Sequence, residues 1–409
     1  CEASRVKTAI CLMLLIPNSC LASATHSWSM ILKNDTHYKQ SNTDSLFQAD
    51  LPEQGWQTAA RVIANTSWEA QNTYFFGSVD MQGLYKNFNH SRASHYQKTK
   101  LRELYYTNYG LSNVEFGVGK QIRKPSKSYS LTPLNIFDLY PYKTKDVADF
   151  NLSSQGESMV YTDLFLERST LSFIVSKDLT KEDNHRSYIY RKTDFAKTTL
   201  IWEHFGGSVD ITFLGSYNDE QKLAYGLGLS IVASDALELH MEALYRSSGE
   251  KIRFSPSTLE YQTQQENALF SVIGGQYTRG SFHFTLEHIY NSLNLGDDEW
   301  DELYQWGVDA QTQPYASVLP LVGANYANQL LTDSTIFFRI NYNIAPDLML
   351  DSNHFIEPYH GSALNQIYIK YTDNQFALKA GLTFSVGDRK SVYGNDLYQH
   401  VFTQLQYAF

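Results

Sequence analysis

Charged and polar side chains recur at every second position of several extended stretches. Glu238, His240 and Glu242 alternate with apolar residues, and so does Arg339 in a later stretch. A spacing of two places such residues on one face of a strand. The chemistry open to that face is electrostatic, since it can attract or orient a solute or brace the wall through ion pairs. The candidate residues of this polar face are Arg61, Arg102, Glu115, Gln121, Arg123, Asp163, Asp210, Glu238, His240, Glu242, Glu287, Arg339, Lys370 and Lys379.

Bond-making chemistry has no recognisable motif in the chain. We find no phosphate-binding loop, no G-x-S-x-G turn, no H-E-x-x-H pair and no C-x-x-C pair. His283 and His288 stand five positions apart, so on a strand they would face opposite sides and could not share a metal. The sequence therefore predicts a protein that is not an enzyme and has no cofactor and no metal site.

The composition narrows the class of protein. The 409 residues are 43% hydrophobic, 14% aromatic and 19% charged, with 29 Tyr and a net charge of −10. The aromatic content argues against disorder, and no stretch after the N-terminal leader is apolar for long enough to form a membrane helix. Nucleic acid is excluded as a partner because phosphate binding needs clustered Lys and Arg. A polar average with many aromatics is typical of strands that have one polar and one apolar face.

The hydrophobic period is two along almost the whole chain. We count eighteen such runs (sixteen is possible), with the least distinct boundaries at 188–205 and 330–343. The runs are about ten residues long, which is the length a tilted strand needs to cross a bilayer. Soluble strands are usually shorter.

The connections between these runs sort by length. Tight turns join even-numbered runs to odd ones, at Gly110-Leu111, Gly206, Ser234-Asp235, Thr278-Arg279, Ala345-Pro346 and Asp373-Asn374. Long connections join odd runs to even ones, at 35–56, 86–100, 123–156, 248–265 and 291–329. Barrels with both ends in the periplasm show this asymmetry. The sequence predicts an all-β transmembrane antiparallel up-and-down barrel with short periplasmic turns and long extracellular loops.

The first 24 residues read as a secretory signal peptide. Arg5 and Lys7 precede an apolar run, and Ala22-Ser23-Ala24 provides a cleavage site. Cleavage removes all three cysteines and leaves 31 basic and 42 acidic residues in a barrel domain of residues 25–409. The final run ends at Phe409, which is typical of the signal read by the barrel-assembly machinery. We expect the mature chain in the outer membrane of a Gram-negative bacterium.

Residues 101–141 resemble a segment of alginate-export-like and related porin-like outer-membrane barrels. The matching positions are Leu101-Arg102-Glu103, Gly119-Lys120-Gln121 and Pro133 to Asp138, with Gly156-Glu157-Ser158-Met159 opening the next strand. The chain departs from the pattern at Ile122-Arg123-Lys124-Pro125, where relatives often have Trp-Gly. The resemblance implies an eighteen-stranded channel with a cationic lumen for a polyuronate. Because this chain is acidic, we carry over the channel role and not the substrate.

Two of the predicted loops contain charge clusters, one basic and one acidic. The basic loop 123–156 contains Arg123, Lys124, Lys127, Lys143 and Lys145. It could fold inward as a constriction that attracts anions, or lie outside against phosphate-bearing lipid. The acidic loop contains Asp297, Asp298, Glu299, Asp301 and Glu302. It could bind Ca²⁺ or bridge to lipopolysaccharide through divalent cations, and a simply solvated loop is the alternative.

The functional prediction follows from a water-filled barrel with charges of both signs. It is a porin-like channel for passive passage of a small polar solute or a saccharide, with polysaccharide export as one form. The alternative is a non-conducting barrel that acts as an adhesin, receptor or assembly partner, with its lumen plugged by loops 123–156 and 291–329. In both cases the partners include outer-membrane lipid and lipopolysaccharide.

Overall fold

The computed structural model describes residues 25–40, 54–88, 93–137, 156–179, 195–255, 260–311, 332–395 and 399–409. The expected signal peptide of residues 1–24 lies outside the described residues and stays a prediction. Lys143 and Lys145 of the basic loop also lie outside them.

Eighteen antiparallel strands form one closed sheet, so the predicted fold class and strand count are confirmed. The first nine strands are β1 (Thr25–Gln40), β2 (Gln54–Ala70), β3 (Thr73–Phe88), β4 (Ser94–Leu111), β5 (Val114–Gln121), β6 (Glu157–Leu166), β7 (Ser169–Lys177), β8 (Lys197–Phe205) and β9 (Val209–Asn218). The last nine are β10 (Lys222–Ser234), β11 (Leu237–Ser255), β12 (Glu260–Arg279), β13 (Phe282–Asn291), β14 (Ser334–Ala345), β15 (Leu348–Glu357), β16 (Ser362–Asp373), β17 (Phe376–Val386) and β18 (Gln399–Ala408).

Each strand pairs with its neighbours in the chain, and β18 pairs with β1 to close the cylinder. The N–H of Phe409 donates to the carbonyl of Met30 at 2.9 Å, which extends this closing pair to the last residue. Closure gives every strand a partner on both sides, as a sheet in hydrocarbon requires.

The period of two in the sequence becomes an inner and an outer face. On β9, Thr212, Leu214 and Ser216 face inward and are buried, whereas Phe213 and Tyr217 face outward. Leu200, Phe213 and Tyr225 on neighbouring strands are each at least half exposed, and they form part of an apolar outer belt. Such a surface is stable only against hydrocarbon, so the barrel crosses a membrane. None of the helices in the described residues is long and apolar enough to cross one.

Turn chemistry explains the short connections. The even-to-odd turns are two or three residues long, and Asn113 and Asn374 adopt the left-handed backbone conformation that Asn tolerates there (φ 65° and 42°). The long connections are indeed odd-to-even, but two further odd-to-even connections are short. Residues 219–221 and 358–361 are tight turns, so loop length follows parity only in part.

Several predicted boundaries were wrong: some strands are longer than predicted and two begin later. Residues 35–40 and 54–56 of the expected loop 35–56, and most of the expected loops 86–100 and 248–265, are strand, because the hairpins continue past the apolar belt. Beyond the belt both faces of a strand are in contact with water, so the sequence no longer alternates between apolar and polar residues. β8 begins at Lys197 and β14 at Ser334, later than predicted. The acidic loop is in fact a helix, α1 (Asp297–Gln311), and a short helix α2 (Val392–Asn395) lies between β17 and β18.

Candidate constriction and inner wall

The chain that follows β5 folds into the barrel interior. We call residues 122–137 the inner segment; it contains residues 123–137 of the basic loop. Leu134 and Phe137 have no solvent exposure, and they pack in one cluster with inward-facing residues of β6 to β11 such as Ile174. The inner face of β10 has two glycines that accommodate Leu134. A Cβ at Gly226 would lie 2.5 Å from its Cδ2, and one at Gly228 would lie 2.9 Å from its Cδ1.

The carboxylate of Glu242 on β11 binds the backbone of the inner segment. It accepts hydrogen bonds from the N–H groups of Lys127 and Ser128, the latter at 2.8 Å, and from the hydroxyl of Ser126. Glu242 has no exposed surface. It was predicted to line the pore; it does face inward, but the inner segment covers it, so its role here is that of an anchor.

Glu287 on β13 forms a second anchor, which binds the next two residues of the inner segment. Its two oxygens accept the N–H groups of Tyr129 and Ser130 at 2.7 and 2.8 Å. Nε2 of His240 lies 2.7 Å from the same carboxylate, and both side chains are fully buried. Two adjacent carboxylates thus bind four consecutive backbone N–H groups, which would otherwise be buried without acceptors.

Tyr129 connects the inner segment to a third strand. Its hydroxyl accepts a hydrogen bond from Arg339 on β14, and the guanidinium carbon lies 4.8 Å from the centre of its ring. Nε of Arg339 donates to both oxygens of Asp351 on β15 at 3.0 Å. Asp351 is fully buried and also accepts from Asn341 and Asn353 at 3.0 Å. A bidentate pair of this kind fixes the plane of the guanidinium.

The start of the inner segment is held by a further ion pair. Arg123 donates to both oxygens of Asp163 on β6, and its guanidinium lies 3.8 Å from the ring centre of Tyr161. The hydroxyl of Tyr161 donates to Glu115 at 2.8 Å. Gly117 is required beneath this ring, because a Cβ there would lie 2.2 Å from it. Near the other end, Lys197 donates to the carbonyl of Ile136 and to Glu157, both at 2.7 Å.

The opposite part of the wall, β16 to β18 with β1 to β3, has a basic inner face. Lys370 lies opposite Lys379 in the strand register, and Lys33 lies opposite Arg61. Nζ of Lys379 lies 3.9 Å from the ring centre of Tyr368 and 4.9 Å from that of Phe402. We call this part the basic wall, and the part formed by β6 to β15, including the anchors, the acidic wall.

Two cations of the basic wall pair with carboxylates of the same or the adjacent strand. Arg61 donates to both oxygens of Asp80 at 2.8 and 2.6 Å. Nζ of Lys33 lies 3.4 Å from a carboxylate oxygen of Asp35. These pairs join side chains of the strands themselves, so they brace the wall directly.

The remaining candidates are scattered. Arg102 lies at a bulge of β4, where the register with β3 skips it. Gln121 ends β5, Asp210 lies near the β8–β9 turn, and Glu238 accepts from the hydroxyl of Ser230 at 2.6 Å. In the inner segment, Lys124 is exposed, and Nζ of Lys127 lies 5.5 Å from the ring centre of Phe205.

Sequence reasoning missed the partners of these residues. Asp80, Asp351 and Glu157 each pair with a predicted or neighbouring cation, and Tyr129 and Leu134 fix the inner segment. Asp80 and Asp351 had a usable signal, since both lie on inward positions of alternating strands. The contacts of Tyr129 and Leu134 join positions too far apart in sequence for any local pattern to show.

Comparison with known proteins gives a likeness of fold. No protein-family model matches the chain, and no curated protein has a significantly similar sequence. OccK7 (OpdD) of Pseudomonas aeruginosa superposes with a TM-score of 0.56 at 10% identity, covering 95% of this chain and 99% of that one. OccAB1 of Acinetobacter baumannii gives 0.56 at 10%, covering 94% and 96%. OprD of Pseudomonas aeruginosa gives 0.52 at 10%, covering 95% and 97%.

These likenesses support part of the family interpretation made from the sequence. The chain has the fold of a porin-like outer-membrane barrel, over almost the full length of each protein compared. The alginate-export-like family finds no support among the matches.

Proposed function

We propose that the protein is a passive channel of the outer membrane of a Gram-negative bacterium, for a small polar solute. The observation that carries this is the inner segment bound to the acidic wall. An eighteen-stranded barrel encloses a wide lumen unless something fills it. A segment attached to one side narrows the lumen and leaves the basic wall as the surface that a solute meets.

The same arrangement favours a small solute over a polymer. The carboxylates of Glu242 and Glu287 accept hydrogen bonds from backbone N–H groups. Those of Asp163 and Asp351 form ion pairs with arginines. The excess of cations on the inner face belongs to the basic wall, where Lys370 lies opposite Lys379, and the inner segment adds Lys124 and Lys127. We therefore do not extend the proposal to alginate export, because an anchored constriction is a poor passage for an extended polysaccharide.

Selectivity in this proposal comes from the net positive field of the basic wall, in which Lys370 is partly exposed, Lys379 beside it is buried and Arg61 is paired with Asp80, acting opposite the inner segment. Cations along one side of a narrow passage raise the local concentration of anionic groups and speed their entry. Arg102, Glu115, Gln121, Asp210 and Glu238 have supporting roles in bracing or lining the wall.

Planar-bilayer recording of the refolded protein tests the channel. We expect discrete open-channel currents with a weak preference for anions in a salt gradient. Deletion of residues 126–137 should raise the conductance. If neither protein conducts, although both show the altered gel mobility of a folded barrel, the channel proposal fails. The alternative of a plugged barrel that serves as an adhesin, receptor or assembly partner would then stand.

We also propose a contact with the outer-leaflet glycolipid. A groove on the outer face is lined by Leu104, Val118, Val160 and Val175, and Lys120 and Lys177 lie at its end near the long connections. Acyl chains suit the apolar part, and phosphate groups suit the two ammonium groups. Replacing both lysines by Gln should reduce lipopolysaccharide carried through purification, whereas Lys222→Gln should not.

The assembly machinery is the other proposed partner. Phe409 lies at the closing pair of β18 and β1, where Tyr407 and Phe409 form an edge-on ring contact of 4.5 Å. Removal of Phe409 should lower the amount of folded barrel in the membrane, and unchanged assembly would exclude this role.

A further inference from the structure

One imidazole and two carboxylates meet on the long-connection side of the barrel. Asp297 and Asp301 lie one turn apart on α1, and His360 lies in the turn between β15 and β16. Nε2 of His360 is 3.5 Å from Oδ1 of Asp297 and 3.2 Å from Oδ1 of Asp301. One donor atom from each of the three side chains lies within 4.8 Å of the others. Donor atoms about 3–4 Å apart are spaced as ligands around one divalent ion are.

The turn that holds His360 is rigid. Glu357 is fully buried and accepts the N–H groups of Tyr359 and His360, at 2.5 and 3.1 Å, and the hydroxyl of Ser362 at 3.2 Å. The second ring nitrogen of His360, Nδ1, is buried without a hydrogen-bond partner and lies 3.7 Å from Oε2 of Glu357. A carboxylate behind the other ring nitrogen is the usual support of a metal-binding histidine.

The helix is fixed by contacts that do not involve His360. Trp300 is fully buried, and its Nε1 donates to the carbonyl of Lys390 between β17 and β18 at 2.7 Å. Glu299 pairs with Lys251 on β11 at 2.8 Å. Asp297 and Asp301 are therefore presented to His360 by a docked helix, which reduces the entropy that ion binding would otherwise cost.

The surroundings are acidic and open to water. The hydroxyl of Tyr359 donates to Asp333 at 2.7 Å, and burial together with this hydrogen bond raises the pKa of that phenol. The side chains of Asp297 and Asp301 are about half exposed, at 49% and 61%, so water can complete a coordination shell. The carboxylates of Asp297, Asp301 and Asp333 concentrate negative charge here, which a divalent cation would balance.

We propose that Asp297, Asp301 and His360 form a binding site for a divalent transition metal of the zinc type. An imidazole nitrogen with two carboxylates suits zinc and its neighbours, whereas calcium prefers a shell made of oxygen alone. The bound ion would join α1 to the β15–β16 turn. This site is separate from the channel proposal, and neither depends on the other.

Isothermal titration of zinc chloride into the folded full-length barrel tests the site. We expect one ion per chain. His360→Ala removes the nitrogen ligand of the triad and should weaken binding by at least about tenfold, since loss of even an outer-shell partner commonly costs that much. Asp298→Asn is the matched control, because Asp298 lies in the same turn of α1 and outside the triad; it should bind as the parent does. Cobalt should give visible absorption bands in the parent and lose them in His360→Ala.

Two outcomes would overturn the proposal. One is equal zinc affinity in the parent, His360→Ala and Asp301→Asn, each checked for barrel folding by gel mobility. The other is calcium binding as tight as zinc binding and insensitive to His360→Ala, which would describe a general cation patch on the acidic helix.

Discussion

The acidic and basic walls use the same residue types for different purposes. On the acidic wall, Glu242 and Glu287 bind backbone N–H groups of the inner segment. On the basic wall, Asp35 and Asp80 bind Lys33 and Arg61 of the same or the adjacent strand. One set of carboxylates holds a separate stretch of chain in place, and the other set stabilises the cylinder.

The difference follows from hydrogen-bonding capacity. An irregular segment inside a barrel presents N–H groups that have no strand partner, and each needs an acceptor. Carboxylates supply acceptors, whereas ammonium and guanidinium groups supply only donors. The inner segment can therefore bind firmly to the acidic wall, and the basic wall is left to face the lumen.

Removing an anchor should have the largest effect. Glu287→Ala leaves the N–H groups of Tyr129 and Ser130, and the ring of His240, without their acceptor. Loss of one partner of a buried charged network costs about 3–5 kcal/mol. We expect a lower midpoint of urea unfolding in lipid vesicles and a larger, noisier single-channel current. Glu238→Ala is the control, because this carboxylate on β11 accepts a hydrogen bond from Ser230 of the wall and not from the inner segment, and it should change the current far less. Similar currents in the two variants would contradict the anchoring role.

Steric displacement of the inner segment should come next. Gly226→Val places a side chain where Leu134 now packs, 2.5 Å from its Cδ2. Overpacking of this kind costs about 1–3 kcal/mol, and the conductance should change although no charge does. Gly215→Val is the control, because a Cβ there meets nothing within 4 Å. A displaced segment should also become sensitive to added protease, and equal protection in both variants would argue against the packing described.

Charge removal on the basic wall should act mainly on ion selectivity. Replacing Lys370 and Lys379 by Gln removes two cations that lie opposite each other in the register. The reversal potential in a potassium chloride gradient should shift toward cations, because the anion-attracting side of the lumen is weakened. Lys177→Gln on the outer face should leave it unchanged. A shift in the control and none in the double variant would remove the basic wall from the site.

The smallest effect is expected at Tyr129. Tyr129→Phe deletes the hydroxyl that accepts from Arg339 and keeps the ring. A single hydrogen bond contributes about 0.5–1.5 kcal/mol, so we expect slightly more current noise and a small loss of stability. Tyr225→Phe, at an exposed outer position, should be neutral. A loss as large as that of Glu287→Ala would make Tyr129 the main anchor instead.

The fold was largely predictable because its rule is local. Each crossing of the membrane repeats the alternation seen in Thr212, Phe213 and Leu214, so the strand count needed no long-range information. The rule fails where water lies on both sides, as in the upper parts of β1 to β4. It also fails for the short turns 219–221 and 358–361, since parity does not dictate how long an extracellular connection must be.

The candidate site was predictable as a set of positions and not as a set of pairs. Strand alternation puts Glu242 and Glu287 on the polar face, but their bonds to residues 127–130 span more than a hundred residues. The acidic residues of α1 were noted as a charge run, yet their contact with His360 depends on how two loops dock. The positions follow from strand periodicity, whereas the pairs follow from tertiary docking.

The closing pair of β1 and β18 has a consequence for how the barrel forms. It joins the strands that are farthest apart along the chain, so the cylinder cannot close until the last strand is in place. Contacts of such long range are slow to form because the loop-closure entropy must be overcome first. Until then the growing sheet has two open edges that could pair with other chains. The unclosed sheet therefore has to be kept from pairing with the strand edges of other chains until β1 and β18 pair, with Met30 next to Phe409.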